Sequence, residues 1–462
     1  MNRIVTGFRR HKEELAVGLL RFLTYAGLTV LFFGLLSIEN WPLRHLNRTL
    51  ATTALTWFAM TVAMRAVYGG YDVGRRKSKP IISSMILAVI CTDLLTYLQL
   101  QIMNVNVNRF ESLRLFGPDF FWLLLCMVLQ LVWIILMVRW GNQFYFRLYP
   151  PRECLLVMGS TGDREAVLRK IGRYALQWHV GDIAGCDDPD LDRRIDEADV
   201  VFLAEIPDEK RMLLLKRCYD LHRDVLCKAQ LQDIMLASAE SIVVDDAPFL
   251  EMDYRKMTLS QRIVKRLMDI IISLLVLVLF SPLMLLIALC IRMEDHGPAI
   301  FRQKRITVGG HEFTICKFRT MRPETAGEER SAQKDDDRIT RVGAVLRRTR
   351  LDELPQFWNI LTGDMTLVGP RPEMLANVEK YKTALPTFVY REKMKAGLTG
   401  YAQIEGRYNT SAEDKLMLDL MYIENFSIWT DIRLLFRTLT VFFKRDSTEG
   451  FAPQEPGKDE PA

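Results

Sequence analysis

The sequence predicts an α/β membrane protein with three parts. These are a four-helix transmembrane bundle, a Rossmann-like cytoplasmic domain, and a mainly helical C-terminal domain anchored by a re-entrant helix. Four long apolar segments open the chain, strand-like and helix-like runs then alternate, and a fifth apolar segment precedes a basic C-terminal region. The expected boundaries are 1–148, 149–250 and 251–446 for the three parts, 262–291 for the re-entrant helix, and 447–462 for a disordered tail.

The composition argues against two kinds of site. The 8 cysteines are scattered without a CxxC pair, which disfavours a disulfide framework or a zinc site and fits reduced thiols facing a cytoplasm. The 6 histidines form no HExxH or HxxxH grouping, which disfavours a histidine-built metal site. The net charge of +5 is modest, but the basic residues are clustered. This favours a membrane surface or a small polyanion as partner, and we expect no nucleic acid.

The four opening segments are each about as long as the ~20 residues that cross a bilayer core. The first is too long for a removable signal peptide and lacks the cleavage pattern of one. The predicted spans are Leu15–Ile38, Leu50–Tyr68, Ile81–Met103 and Phe120–Val138.

Charges in the connecting segments predict the orientation. Basic residues are frequent before the first span, between the second and third, and after the fourth, and they are sparse in the other two loops. The positive-inside rule therefore places the N-terminus and the chain after Arg139 in the cytoplasm, as in a multi-pass protein of the bacterial inner membrane. The frequent set comprises Arg3, Arg9, Arg10, Lys12, Arg75, Arg76, Lys77, Lys79, Arg139, Arg147 and Arg152.

The middle region predicts a parallel sheet. The run "ECLLVMGSTGDREAVLRKIGRYAL" has the pattern of a strand, a glycine turn and a helix, and a further helix is predicted over Asp208–Leu221. The turn Gly159–Gly162 is too short for the full GxGxxG fingerprint, so a degenerate Rossmann-like scaffold is favoured over a working nucleotide site. The other predicted strands are Asp182–Cys186, Val200–Leu203, Val225–Cys227 and Ile242–Val244.

A fifth apolar run, Leu267–Ile291, is long enough to cross the bilayer, and on length alone it reads as a fifth span. Two features favour a kinked helix that enters one leaflet and returns. Basic residues flank the run on both sides, as expected if both ends are cytoplasmic. Ser281 and Pro282 lie near its middle, where the proline would kink the helix and the hydroxyl could bond to a freed carbonyl.

The C-terminal region combines glycine turns with many guanidinium and ammonium groups, which is typical of a site for phosphate oxygens. Within it, "RTRLDELPQFW" places Asp352 and Glu353 directly after an arginine cluster. Taken alone, each basic residue would be a solvated charge, and the acidic pair would be a helix cap beside a surface glutamate. The basic residues are Lys304, Arg305, Lys317, Arg319, Arg338, Arg341, Arg371 and Arg407.

Taken together, these strings closely resemble the bacterial sugar transferases, a family of monotopic phosphoglycosyl transferases. The resemblance runs in order from about Met257 to Arg445, and the preceding spans and α/β region look like the large members that use undecaprenyl phosphate. The matching pieces are Ser281-Pro282, "KFRTM" (317–321), "LDELPQ" (351–356), "GDM" (363–365), "VGPRP" (368–372), "GLTG" (397–400) and Gly406-Arg407.

The resemblance implies a reaction. A hexose-1-phosphate moves from a UDP-sugar to undecaprenyl phosphate, and UMP is released. Asp352 would be the nucleophile that forms a covalent phosphosugar intermediate, and Mg²⁺ would assist. Glu353 would either help to bind the metal or adjust Asp352. Glucose is the favoured sugar and galactose the next, and the step would begin exopolysaccharide, capsule or O-antigen synthesis.

The resemblance also implies substrate contacts. Lys317, Arg319, Arg371 and Arg407 are expected to contact the UDP-sugar, with Arg338 as a weaker phosphate candidate. Pro370 and Pro372 would fix the backbone around Arg371. Separately, Asp352 is predicted to be the N-cap of a helix through "ELPQFWNIL", with Pro355 in its first turn.

Several alternatives stay open at this stage. The amphipathic run "SIWTDIRLLFRTLTVFFKRD" is expected either to lie in the membrane interface or to pack on the C-terminal domain. A homodimer through the spans or the middle domain is a hypothesis. Two other function classes are a non-catalytic regulator of polysaccharide export, which the intact acidic pair and Arg371 disfavour, and a membrane-tethered oxidoreductase, which the incomplete glycine fingerprint disfavours.

Overall fold

The computed structural model describes residues 2–74, 76–108, 115–159, 163–252, 257–322, 338–406 and 410–441. The chain divides into two compact units, 1–229 and 230–462. The predicted domain boundaries at 148, 250 and 446 stay predictions, and the tail 447–462 lies outside the described residues.

Four apolar helices open the first unit, as the sequence predicted. Each contains a stretch that is long and apolar enough to cross a membrane. The fourth helix continues beyond the predicted end of its span at Val138 as far as Leu148, so Arg139 and Arg147 are helical. The helices are α1 (Asn2–Glu39), α2 (Arg48–Tyr68), α3 (Ser78–Asn108) and α4 (Pro118–Leu148).

A four-stranded parallel sheet follows in the same unit. The strand order is β2-β1-β3-β4, and β1 contains a run of fully buried residues from Cys154 to Met158 because both of its faces are covered. The predicted helix over Asp208–Leu221 is confirmed. The strands are β1 (Arg152–Met158), β2 (Trp178–Gly185), β3 (Val200–Ala204) and β4 (Asp224–Cys227), and the helices are α5 (Arg164–Gly172), α6 (Leu191–Glu197) and α7 (Asp208–Asp220).

The predicted strand Ile242–Val244 does not join this sheet. It belongs to strand β5 (Glu240–Val244), which pairs antiparallel with β6 (Ala247–Glu251) in a separate hairpin of the second unit. Asp245 adopts φ +61° at the two-residue turn, so the chain reverses at once and cannot enter a parallel crossover. Sequence periodicity identifies a strand but does not identify its partner.

The second unit is mainly helical, and most of its described buried apolar residues belong to one cluster. Besides the β5–β6 hairpin, the described residues of this unit form two strand pairs: β7 pairs antiparallel with β8, and β9 pairs parallel with β10. Ile315, Ile360, Leu367, Phe388 and Leu420 are buried together. The elements are α8 (Leu231–Leu236), α9 (Leu259–Leu279), α10 (Ser281–Asp295), β7 (Ile300–Ile306), β8 (Glu312–Phe318), α11 (Arg341–Thr349), α12 (Gln356–Thr362), β9 (Thr366–Val368), α13 (Leu375–Ala384), β10 (Gly397–Thr399), α14 (Tyr401–Glu405), α15 (Ala412–Glu424) and α16 (Ile428–Val441).

The fifth apolar run forms two helices, α9 and α10, that meet at 61° with Phe280 between them. Pro282 lies in the first turn of α10, where a missing backbone donor costs least, so the run is a helix pair and not one kinked helix. The Ser281 hydroxyl donates to the Val278 carbonyl oxygen at 2.8 Å, the back-bond that the sequence allowed. The bend therefore has a local chemical cause.

The amphipathic C-terminal run forms α16, which packs into the second unit. Asp431 and Leu434 on this helix are fully buried, whereas Trp429 is exposed. Of the two expectations for this run, the described residues fit core packing, and the part of the run after Val441 lies outside them.

Candidate active site

Asp352 and Glu353 lie in a tight 3-10 turn, Leu351–Glu353, between α11 and α12. Arg350 ends α11 with φ +55°, a left-handed conformation that turns the chain sharply. The Glu353 amide then donates to the Arg350 carbonyl oxygen at 3.2 Å, and the Leu354 amide to that of Leu351 at 3.3 Å. These bonds fix the backbone of Asp352 and Glu353, from which the two carboxylates extend.

The prediction that Asp352 is the N-cap of the following helix is wrong. Helix α12 begins at Gln356, and its cap position is Pro355, whose φ of −63° and ψ of −16° are already helical. Successive 3-10 turns lead directly into α12, so Asp352 never takes the extended conformation of a cap. An acidic residue followed closely by a proline is compatible both with a capped helix start and with a 3-10 turn that runs into a helix, so the sequence did not distinguish the two.

Glu353 contacts two cations from different parts of the chain. Its Oε1 atom lies 3.6 Å from the Lys317 Nζ and accepts a hydrogen bond of 3.3 Å from an Arg371 guanidinium nitrogen. Burial alone would raise the pKa of Glu353, but the positive charges of Arg371, Lys317 and Arg350 outweigh it and lower the pKa to about 2. Glu353 is therefore a firmly ionised, paired carboxylate.

Asp352 is the more basic of the two carboxylates. Burial and the neighbouring charge of Glu353 raise the pKa of Asp352 to about 6, against the opposing effect of Lys317, Arg347 and Arg371. The two adjacent groups thus titrate as a pair whose pKa values are pushed apart by their surroundings. This separation leaves Asp352 as the better nucleophile or base.

Asn359 joins the acidic turn to the strand that carries Lys317. Its Oδ1 accepts from the Cys316 amide at 2.9 Å, and its Nδ2 donates to the Thr314 carbonyl oxygen at 2.8 Å. Because Asn359 is on α12 and Lys317 is the residue after Cys316 on β8, these bonds fix the lysine relative to the acidic turn. Sequence analysis missed Asn359, since a single asparagine in an apolar helix carries no distinctive pattern.

Close backbone contact between β9 and β10 positions the loop that carries Arg371. A Cβ at Gly397 would lie 2.1 Å from the Gly369 nitrogen, so only glycine allows this approach. The Gly397 amide also donates to the Pro370 carbonyl oxygen at 2.8 Å. The segments "VGPRP" (368–372) and "GLTG" (397–400) therefore pack directly against each other.

Two arginines also hold the backbone at Arg371 and at the residue after it. Arg391 donates to the Arg371 carbonyl oxygen at 2.8 Å, and Arg305 donates to that of Pro372 at 3.3 Å. Arg391 is itself paired with the fully buried Asp419, with the closest atoms at 2.7 Å. That Pro370 and Pro372 fix this loop stays a prediction. The carbonyl oxygens of both prolines accept hydrogen bonds, and the sequence did not indicate that Arg305 and Arg391 stabilise the loop.

The remaining predicted residues lie elsewhere. Arg319 is buried in an ion pair with Asp295 at the end of α10. Arg338 is also buried, and its carbonyl oxygen accepts from the Arg322 amide at 2.9 Å. Arg407 lies outside the described residues. The structure therefore brings together Asp352, Glu353, Lys317 and Arg371, and substrate contacts by the other arginines stay predictions.

The predicted Mg²⁺ stays a prediction, and the chemistry of the acidic pair can be compared with what such an ion requires. Among the described residues, no group of three or more histidine, cysteine or acidic side chains could hold a metal by itself. Mg²⁺ is commonly bound through one or two carboxylates together with waters and substrate phosphates. Asp352 and Glu353 supply that minimal donor set.

Comparison with known proteins places this site within a recognised region. The family described as bacterial sugar transferase matches residues 260–445, which confirms the resemblance found over Met257 to Arg445. The match includes every predicted site residue from Ser281 to Arg407.

Three curated relatives illustrate the similarity. A UDP-glucose:undecaprenyl-phosphate glucose-1-phosphate transferase of Caulobacter vibrioides is 42% identical over 189 residues, which are 40% of this chain and 71% of the relative. An Escherichia coli protein of the same name is 44% identical over 187 residues, 39% of this chain and 40% of the relative. A UDP-N-acetylgalactosamine-undecaprenyl-phosphate N-acetylgalactosaminephosphotransferase of Aeromonas hydrophila is 44% identical over 181 residues, 38% of this chain and 43% of the relative. The chain thus spans less than half of the last two.

The contact between β9 and β10 gives a first prediction. Gly397→Ala is expected to destabilise the protein by about 1–3 kcal/mol and to lower its activity, because the new Cβ must push Gly369 and the Arg371 loop aside. The control is Gly185→Ala, since a Cβ there has nothing within 4 Å. Denaturant unfolding of the detergent-solubilised protein, followed by tryptophan fluorescence, measures both. Equal stability of the two variants would contradict the close-contact argument.

The buried Arg391–Asp419 pair gives a second prediction. Arg391→Met is expected to cost about 3–5 kcal/mol of unfolding free energy, because it leaves the buried Asp419 carboxylate without a countercharge. Lys304→Met is the matched control, since its ion pair with Glu312 at 3.1 Å is exposed and contributes about 0–1 kcal/mol. The same unfolding measurement applies, and similar losses in both variants would show that burial of the pair is unimportant.

Proposed function

Because the chain belongs to the bacterial sugar transferase family, we propose that it transfers a hexose-1-phosphate from a UDP-sugar to undecaprenyl phosphate and releases UMP. The observation that carries the proposal is the acidic turn itself. It holds two adjacent carboxylates of unequal pKa against Lys317 and Arg371, within the family's region of the chain.

The first chemical step is a displacement at phosphorus. An Asp352 carboxylate oxygen attacks the phosphorus that bears the sugar, the new O–P bond forms, and the bond to the bridging oxygen of UMP breaks. UMP leaves with that oxygen and its electron pair. The product is an acyl phosphate in which Asp352 carries the phosphosugar, and this intermediate divides one difficult transfer into two easier ones.

The second step regenerates the carboxylate. A phosphate oxygen of the lipid carrier attacks the same phosphorus, and the bond to Asp352 breaks with its electron pair returning to the carboxylate. The product is undecaprenyl diphosphate sugar. The two displacements differ in the attacking and the leaving oxygen but occur at the same phosphorus, so one set of charged groups serves both.

The surrounding cations offset the like-charge repulsion of this chemistry. A carboxylate that approaches a diphosphate meets negative charge, and Lys317 and Arg371 lie beside the acidic pair to compensate it. Mg²⁺ held by Asp352 and Glu353 would supply further charge stabilisation on the phosphate oxygens. Glu353, whose pKa is about 2, stays ionised throughout and keeps both cations in place.

The helix pair α9–α10 supports a membrane-embedded site. It carries exposed apolar side chains along both helices, and four apolar helices precede it in the chain. We propose that the pair enters one leaflet and returns, with both ends on the cytoplasmic face of the inner membrane, which would keep the acidic turn near the headgroups where a lipid phosphate lies. The exposed residues include Leu267, Ile271, Leu275, Leu279, Leu285 and Leu289.

The donor sugar is proposed from the relatives' names. Glucose is the first candidate, since the Caulobacter and Escherichia relatives carry glucose in their names. Galactose, which the name of another relative carries, is the second. The product would be the first membrane intermediate of an exopolysaccharide, a capsule or an O-antigen. In the first unit, the parallel sheet β2-β1-β3-β4 is proposed to be a Rossmann-like scaffold that does not take part in the chemistry.

The reaction predicts that UMP is released in the presence of one UDP-sugar, undecaprenyl phosphate and Mg²⁺. Asp352→Asn is expected to lower the rate on the order of a thousandfold or more, because the amide cannot act as the nucleophile. Glu353→Gln is expected to be strongly impaired, and Glu312→Gln, which removes an exposed carboxylate, is the matched control. Full activity of Asp352→Asn would exclude the covalent mechanism, and no release with any sugar would favour the non-catalytic regulator.

Metal removal gives a separate prediction. Excess EDTA is expected to abolish UMP release, and added Mg²⁺ to restore it, because the acidic pair and the substrate phosphates together form the proposed ion site. Equilibrium binding of Mg²⁺, measured by calorimetry with and without UDP, should show tight binding only when the nucleotide is present. Undiminished activity in EDTA would contradict this assignment.

A further inference from the structure

The first turns of α9 carry two charged residues that face the protein interior. Lys265 is 6% exposed and Asp269 is 3% exposed, although the same helix carries exposed apolar side chains such as Val264 and Leu267. In the sequence, Lys265 counted only as a basic residue flanking an apolar run. Buried charges persist only when they are bonded, so the partners of these two residues show what they do.

Asp269 binds β9. Its carboxylate accepts a hydrogen bond from the Leu367 amide at 2.9 Å and another from the Thr366 hydroxyl at 2.8 Å. Among the described residues, β10 is the one strand that pairs with β9. The carboxylate therefore satisfies a strand amide that the two-stranded pairing leaves available.

Lys265 binds the next residue of the same strand. Its Nζ donates to the Val368 carbonyl oxygen at 2.9 Å and forms a buried ion pair with Asp431 of α16. The Tyr422 hydroxyl completes the cluster, since it lies 3.0 Å from the Val368 carbonyl oxygen and 2.7 Å from Asp431. Two consecutive backbone groups of β9 are thus held by side chains of α9.

Strand β9 continues directly into the loop that carries Arg371. Val368 is followed by Gly369, Pro370 and Arg371, and the proline and the glycine contact with β10 leave this connection little freedom. Arg371 then donates to Glu353. A displacement of β9 at Leu367 or Val368 would therefore move the guanidinium relative to the acidic turn.

We propose that Lys265 and Asp269 are positioning residues that set Arg371 against Glu353 through β9, so that the base of the apolar helix pair is part of the transfer machinery. The inference rests on the proposed function for its kinetic consequence. It goes beyond that function by assigning a role to residues that contact neither the acidic turn nor Arg371 in the contacts described.

The other helix of the pair holds the opposite side of the site. Glu294, near the end of α10, accepts from the Arg341 amide at 2.8 Å and from the Val342 amide at 3.2 Å, and so caps α11. Helix α11 leads directly into the turn with Asp352. Helix α10 thus bonds to the helix that leads into the acidic turn. Helix α9 bonds to the strand that leads to Arg371 and, through Arg266, to two carbonyl oxygens of α12.

The test compares Asp269→Asn with Ser273→Ala. Ser273 lies one turn further along the same helix and is fully buried, and none of its described contacts joins it to β9. Asp269→Asn is expected to lower kcat about 10- to 100-fold while KM for the UDP-sugar changes less than about threefold, because a shifted guanidinium stabilises the transition state less. Ser273→Ala is expected to leave both constants unchanged.

Hydrogen exchange of the full-length protein in nanodiscs supplies a readout that is independent of activity. The variant Asp269→Asn should exchange faster in the peptide that covers 366–371, and the peptides of α10 and α11 should be unchanged. Tyr422→Phe removes one hydroxyl from the same cluster, so it provides a milder variant if Asp269→Asn does not fold.

The outcomes separate the two proposals. A fall in kcat together with local exchange confirms the positioning role. An unchanged kcat, or faster exchange throughout the second unit with a parallel loss of stability, overturns it and leaves a purely structural role. If the wild-type protein releases no UMP, the proposed function fails, and the exchange pattern alone then decides whether α9 holds the Arg371 loop.

Discussion

The contact between Glu353 and its two cations is the constraint on which the site depends. Two adjacent carboxylates in a half-buried turn repel each other, and the charges of Arg371, Lys317 and Arg350 keep one of them ionised. That balance leaves Asp352 with a raised pKa, so this carboxylate is the one available to react. A displacement chemistry that starts from a carboxylate needs this asymmetry, because one group must hold the cations while the other reacts.

In the second unit, the fold brings residues that are far apart in the sequence to that contact. Lys317 ends a hairpin, Arg371 follows a short parallel strand pair, and the acidic turn lies between two helices. Asn359 bonds to the strand of Lys317 and so fixes it relative to the turn, and the contact of Gly369 with Gly397 positions the loop of Arg371. Polar side chains of the helix pair α9–α10 bond to strand β9, which precedes Arg371, and to helix α11, which precedes the acidic turn. The apolar helix pair therefore also supports the polar site.

The sequence predicted features that depend on composition and local pattern. The four apolar helices, the break at Ser281 and Pro282, and the family region all follow from runs of residues that are contiguous in the chain. The sequence did not predict the buried pairs of Lys265 with Asp431 and of Arg391 with Asp419, because their partners are far apart and each charge alone looks like a solvated one. The mistaken cap at Asp352 has a related cause, since 3-10 turns and a capped helix start share one sequence pattern.

Arg350 shows that stability and charge compete at this site. A residue with a side chain at φ +55° is strained by roughly 1 kcal/mol relative to glycine, which adopts this conformation freely. Glycine there would relax the backbone but would also remove one of the three cations that keep Glu353 ionised. The chain thus carries a less favourable backbone in exchange for a guanidinium, and a version of this protein selected for thermal stability alone would be drawn towards losing it.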